Sequence, residues 1–251
     1  MTEQSNPDPL KSAATDLLSA ITKLVNTGAS AIESLAGELV KGSGNVIQKS
    51  FDLSGFTRVE IGSAFIGDVK QGDGWSVVVS ADDNIMERIS VLLEEKTLRV
   101  HLNGFRINAT RLRVDVTMPA IEALAAGGAS RVTIGGFMRQ PVFAALLTGA
   151  SHLNGEISAD ALTVHASGAS MVTLNGAGSV LSVSASGASH AILAELAVES
   201  ADVKLSGASH ASIHASRTID VLASGASHLT YSGGATVASS KSSGGSGIKQ
   251  Q

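Results

Sequence analysis

The pentapeptide Ser-Gly-Ala-Ser-His stands at Ser186–His190, Ser206–His210 and Ser224–His228, and a hydroxyl beside an imidazole is the pairing from which activated nucleophiles are made. Whether that chemistry is open to Ser189 and His190 depends on where the two side chains point. Adjacent residues of a strand face opposite sides, so a phrase that leads into a strand keeps its serine and histidine apart. The phrase also continues into Ala191 where a nucleophile elbow needs a closing glycine, and no acidic column flanks the histidines to orient them. A serine hydrolase is therefore not expected.

Metal binding is the second chemistry to weigh. If the phrase recurs on successive stacked strands, His190, His210 and His228 lie about 4.8 Å apart, within reach of a shared zinc or nickel ion. The next outward positions are Ile192, Ser212 and Thr230, and none is a carboxylate that would fix an imidazole tautomer. The expectation is a stacked surface ladder, with no metal ligand and no cofactor assigned. A third possibility is glycoside chemistry, which needs two carboxylates at a controlled separation. Asp202 and Asp220, with Lys204 two residues along from the first, form the candidate cluster, and a solvated face with one weak ion pair describes them as well. The acidic stretches Gln71–Gly74 and Ser80–Asp83 read as tight turns, because neither spaces its oxygen ligands as a calcium loop does. A polar column at Thr133, Asn154, Thr173, Ser212 and Thr230 runs beside the histidines and is interrupted by Ile192.

The elements that must position these residues follow from a repeat. Gly-Ala-Ser begins at Gly128, Gly149, Gly168, Gly187, Gly207 and Gly225, at intervals of 21, 19, 19, 20 and 18 residues, and periods of that length signal a solenoid. An alternating strand precedes each later glycine, with Val164, Val183, Val203 and Val221 as one inward column. Val132, Leu153, Val172, Ala191, Ala211 and Leu229 form a second inward column after the glycine. Glycine permits a positive φ at a corner that recurs at one azimuth, and Ala and Ser are small enough to stack there. With aromatics at 3% and 27 glycines, the core must be thin and aliphatic.

Upstream, residues 51–118 alternate with period two between Gly, Asn, Asp and Pro, as short strands do. Within them "NIMERISVLLEE" reads as strand because its apolar positions alternate. Residues 10–40 instead carry Leu10, Ala14, Leu17, Leu18, Ile21, Leu24 and Val25, then Ile32, Leu35, Leu39 and Val40, at helical spacing. Asp8 and Pro9 mark a start, Gly28 a stop, and Ser30 with Glu33 a capping box that opens a second, shorter helix ending near Gly42. After Tyr231 the Gly/Ser-rich residues read as a mostly flexible tail with one strand around Val237. The expected organisation is an amphipathic helical segment over 1–48, a β-solenoid over 49–238 and a flexible tail over 239–251.

Composition narrows the function classes. The net charge of −4 without a Lys/Arg cluster removes the footprint of a nucleic-acid binder. The absence of cysteine excludes disulfides, thiolate metal sites and cysteine nucleophiles. The N-terminus reads as neither a secretory signal nor a transmembrane span, which places the chain in the cytoplasm by sequence alone.

The stretch "FDLSGFTRVEIGSAFIGDVKQGDGWSVVVSADD", the passage "VDVTMPAIEALAAGGAS", the "SGAS" corners and the closing "YSGGATVASSKSSGGSGIK" together resemble the putative auto-transporter adhesin head GIN domain family, over about residues 51–250. The resemblance implies an all-β, right-handed, single-stranded parallel β-helix, often self-associating, and brings no catalytic residues. It also implies an envelope or surface setting, while family members commonly carry an export or lipoprotein signal where this chain has its helical segment. The expectation is a non-catalytic structural or adhesive interaction module, a homo-oligomer, with a cell-surface, glycan or envelope protein partner. A carbohydrate-active β-helix enzyme and an envelope-stress scaffold or sensor are the alternatives.

Overall fold

The computed structural model describes residues 19, 40–104 and 107–251. The helical segment expected over residues 10–40 lies outside the described residues up to Leu39, Ser19 apart. Val40–Lys41 is not its last turn but a short strand, β1. There follow β2 (Val46–Phe51), β3 (Arg58–Ile61), β4 (Ile66–Gln71), β5 (Ser76–Asp82), the single helical turn α1 (Asp83–Met86), β6 (Ile89–Glu94) and β7 (Thr97–Leu102). Next come β8 (Ile107–Asn108), β9 (Leu112–Met118) and β10 (Ala123–Ala126). The repeat supplies β11 (Arg131–Leu147), β12 (His152–Ala166), β13 (Met171–Ala185), β14 (His190–Leu205) and β15 (His210–Ala223). The chain closes with β16 (His228–Ser232), β17 (Thr236–Ser242) and β18 (Gly247–Gln250).

From β10 onward every pairing is parallel, and β11 to β15 stack in sequence order as rungs of a β-solenoid of about seven turns. Each long strand begins on the residue after a Gly-Ala-Ser corner and runs to the next corner, so one repeat is one rung. Both inward valine and aliphatic columns are buried at every level. The core changes in composition along the axis: the large rings Phe56, Phe65, Phe137 and Phe143 fill its first rungs, and one register column reads Phe143, Leu162, Leu181, Ala201, Ile219.

The N-terminal rungs are mixed. β2 pairs antiparallel with β5, β5 with β9 and β6 with β7, so the stack of parallel strands is started by antiparallel pairs, of which β6–β7 is a hairpin. Three expectations change here. "NIMERISVLLEE" is divided, with Asn84–Met86 in α1 and Ile89–Glu94 in a strand; Ile85 and Met86 are both buried, a spacing that alternation cannot produce and one helical turn can. The boundary drawn at residue 48 falls inside β2, because residues 46–51 form one continuous ladder with Val77–Asp82. The Gly/Ser-rich residues 239–251 are not a loose tail. β17 pairs with β15, β18 pairs with β16, and Gly244 takes φ +72° above Gly225, making one more rung. A parallel ladder is closed by backbone groups, so Ser and Lys in place of Val do not prevent it.

Candidate functional site: the Gly-Ala-Ser-His corner and its ladder

Each corner glycine sits at a φ between +60° and +76°, where a side chain is strained. The rung below tightens the requirement: a Cβ on Gly187 would lie 2.6 Å from the carbonyl oxygen of Gly168, and one on Gly207 2.7 Å from that of Gly187. Those oxygens are fixed, because each accepts a hydrogen bond from the alanine N–H of the next corner, Ala188 and Ala208 respectively.

The serines are fully buried and face inward. Ser189 Oγ shares its one proton between the carbonyl of Ala166 in the rung below (3.1 Å) and that of Ser186 in its own turn (2.8 Å). Ser151 does the same with Ala126 and Thr148, and Ser246 in the last rung with Ala223 and Ser243. The lower carbonyl already accepts one backbone N–H, as Ala166 does from Ser186 at 2.9 Å, so the hydroxyl takes its second lone pair. The serine is a donor inside the corner, and its proton is committed. Sequence reasoning placed these serines inward but missed this bond; its signal was the invariable Ser where Ala would fit by size.

The histidines point outward, one residue on. Arg131, His152, Met171, His190, His210 and His228 are in register on successive rungs. The rings of His190 and His210 stack at 5.1 Å between centroids and 6° between planes, those of His210 and His228 at 5.3 Å and 11°. Nitrogen lone pairs lie in the ring planes, so rings stacked face to face do not converge on one ion. Among the described residues no group of three or more His, Asp or Glu is arranged to hold a metal. His228 Nδ1 lies 3.2 Å from the carbonyl oxygen of Ala226, which can only accept, so Nδ1 carries the proton in that contact. Gly247 of the last rung covers that ring.

Asp202 and Asp220 share an outward column, as expected, and Lys204 Nζ lies 3.4 Å from Asp202 Oδ2 on an open face. Beside the histidines, Asn154, Thr173, Asn175, Ile192 and Glu195 line an open groove of about 230 Å³. It gathers two amides, a hydroxyl and a carboxylate around an exposed isoleucine. Only part of this set, the Asn154–Thr173–Ile192 column, was legible as a ladder.

The acidic stretch Ser80–Asp83 is not a turn. It ends β5 and starts α1, and its carboxylates clamp the chain after β1. Asp82 accepts from the N–H of Gly44 (2.8 Å) and of Thr110 (2.7 Å). Burial pushes its pKa up, but the hydrogen bonds from Gly44, Thr110 and Arg111 outweigh that and leave it below the ordinary carboxylate value. Asp83 accepts from Ser43 Oγ (2.6 Å) and Asn45 Nδ2 (2.9 Å), which lower its pKa as well.

Solved structures share this architecture. A protein of Bacteroides fragilis described as a putative adhesin superposes with a TM-score of 0.74 at 20% identity, over 84% of this chain and 100% of that one. A putative adhesin from Parabacteroides merdae gives 0.65 at 16%, over 86% and 100%. A protein of Parabacteroides distasonis described as a putative lipid binding protein gives 0.66 at 15%, over 85% and 100%. At these identities the likeness is one of fold. No curated protein matches the chain. Residues 55–235, from β3's approach to the end of the Gly-Ala-Ser rungs, match a family in their own right, and the chain belongs to the putative auto-transporter adhesin, head GIN domain family.

Proposed function

We propose that the protein is a non-catalytic adhesive interaction module of the cell envelope or surface, a right-handed solenoid that receives an extended glycan on its histidine-bearing face. One observation carries the reading: two adjacent outward columns, Arg131 to His228 and Thr133 to Thr230, keep one azimuth through six rungs. A surface that repeats every rung suits a partner that itself repeats. The groove beside it offers amide, hydroxyl and carboxylate groups to sugar hydroxyls and Ile192 to an apolar ring face, which is the mixture that glycan contacts use. The corner serines are engaged with carbonyls, and Asp202 stands 3.4 Å from Lys204 on an open face. The same reading expects a homo-oligomer, since parallel ladders leave strand edges that pair with further copies.

The test is equilibrium binding of the full chain to a panel of bacterial and host polysaccharides, with reducing-end and lyase assays on the same panel. Binding that weakens at least about tenfold, roughly 1.4 kcal/mol, in an Asn175→Ala/Glu195→Ala variant supports the groove. Turnover that is lost in Asp202→Asn would replace the module with an enzyme, and light scattering reads the oligomeric state directly.

A further inference from the structure

Side chains on the outer face of a solenoid sheet should meet water, and along one sheet of this molecule they do so only at one end. Two outward columns run the length of it. The first reads Thr97, Arg58, Ala123, Ala144, Thr163, Ser182, Asp202, Asp220, and the second Arg99, Glu60, Ala125, Leu146, His165, Ser184, Lys204, Leu222. Leu222 at the far end is 49% exposed, as an outward leucine on a bare face should be. Leu146, the same residue type at the same azimuth four rungs earlier, is 3% exposed. Ala123, Ala125 and Ala144 are between 0% and 3% exposed, and Thr163 is 5% exposed. The alanines and Leu146 form an apolar cluster of their own with Val142 against it, separate from the core inside the coil.

The composition of the columns follows the same gradient. Beyond the charged Arg58, Glu60 and Arg99 at the start, they pass from Ala and Leu through Thr, His and Ser to Asp and Lys. Burial holds the His165 imidazole below its ordinary value at the margin between the two regimes. Among the described elements, β10 is flanked by β3 and β11 in its own sheet, and none lies across its outer face.

We propose that this strip, centred on Ala123, Ala125, Ala144 and Leu146, is the seat of the chain's own N-terminal segment, residues 10–39. The segment carries Leu10, Leu17, Ile21, Leu24, Ile32 and Leu35 at helical spacing, and an apolar stripe of that length needs a partner to leave water. It joins the described fold at β1, which pairs with β8 ahead of β10 in the chain. Thirty residues at about 1.5 Å each span about 45 Å as helix, while three rungs at about 4.8 Å occupy about 15 Å, so reach is no obstacle even with a break at Gly28. Alanine on the strip lets apolar side chains seat close to the sheet. The rim offers both signs of charge, Arg58 with Glu122 and Arg99 with Glu60, to a segment that carries Lys11, Asp16, Lys23 and Glu33.

The chain has no cysteine, so one introduced thiol reports alone. Leu146→Cys and Leu222→Cys in the full chain are treated with a small maleimide under native conditions. The expected result is labelling of Leu146→Cys at least about tenfold slower than Leu222→Cys, at a rate independent of protein concentration. Adding Leu17→Asp/Ile21→Asp/Leu24→Asp should bring it up to the Leu222→Cys rate while leaving that control unchanged. Equal rates in the parent chain, or slow labelling that survives the three aspartates, overturns the proposal. Protection that disappears on dilution also overturns it, and assigns the strip to a second copy. Thr163→Cys, beside the strip and already polar, serves as reporter if Leu146→Cys does not give a cooperative melt.

Discussion

The repeat over 128–232 and the lead-in over 40–118 solve the same problem, a sharp corner under a stacked rung, in opposite ways. In the repeat, glycine takes the positive φ at every level, joined only at the first corner by Ala129 at +68°, and buried serines such as Ser189 and Ser209 hold a carbonyl of the rung beneath. In the lead-in the first corner is Gly62-Ser63-Ala64, with the same residue types in another order, and there Ser63 and Ala64 take φ +57° and +63°. It still meets the repeat, since Ala64 N–H donates to the carbonyl of Gly128. The lead-in then relies on side-chain clamps, Asp82 and Asp83 on residues 43–45, where the repeat relies on backbone. Regular stacking makes each corner a condition on its neighbours, and the lead-in, with a neighbour on one side that is not a copy, is released from that condition.

The sharpest way to break the comparison is at a repeat corner. Gly187→Val places a branched side chain at φ +71° against a backbone oxygen that cannot give way, and should destabilise by about 3 kcal/mol or more. Thermal melts should show the loss at Tyr231, the only tyrosine, before Trp75, the only tryptophan, which sits in the lead-in. Wild-type melting of Gly187→Val would refute the corner. Next in size is Asp82→Asn, which replaces the buried carboxylate that Gly44 and Thr110 donate to and should lower the Trp75 transition by several degrees.

Acid separates the two regions further. Asp82 and Asp83 lie below the ordinary 3.8, so their contribution is present above that pH and is lost as pH falls through their folded values. His165 lies below the ordinary 6.5, so the unfolded chain binds the proton more readily; its contribution is present above pH 6.5 and is lost as pH falls below it. His165→Gln should flatten the stability profile of the repeat near pH 6 and leave the steeper acid limb to the aspartates; an unchanged profile near pH 6 would remove His165 from the account. Smaller again is Ser189→Ala, which leaves the second lone pair of Ala166 without its donor and should cost about 1 kcal/mol in denaturant titration. Smallest, and opposite in sign, is Ala64→Gly, which relieves a left-handed alanine and should be neutral or stabilise by up to about 1 kcal/mol, whereas Gly128→Ala should destabilise.

This contrast also explains what could be read from the chain. The rungs were legible because stacking imposes one residue type at one azimuth, so Gly168, Gly187 and Gly207 announce one another and the columns Val164–Val221 and His190–His228 follow by alternation. The lead-in was legible only as strands, since Ser63 and Ala64 carry no mark of a left-handed backbone and Asp82 reads as a turn residue until its donors at Gly44 and Thr110 are known. The closing rung was misread for the converse reason. Ser239, Ser240 and Ser242 look like linker, yet Gly244 continues the glycine column and the backbone needs nothing more. The groove of the candidate site was hidden because Glu195 lies within the register shift between Thr173 and Gly176, where Ile192–Leu196 carries one residue more than its neighbour and alternation no longer predicts azimuth.

At Ser151, Ser189 and Ser246 one hydroxyl proton is shared between a carbonyl of its own turn and one of the turn beneath, so those rungs carry their own fastener. A segment of some 19 residues that ends in Gly-Ala-Ser brings the glycine that clears the layer below, the hydroxyl that secures it and the carbonyls that the next layer requires. Such a unit can be duplicated or removed without a compensating change elsewhere, and each one shifts everything beyond it by about 4.8 Å. Height along the axis is thereby a quantised, heritable dimension, and the molecule can act as a ruler whose graduations are written in the sequence.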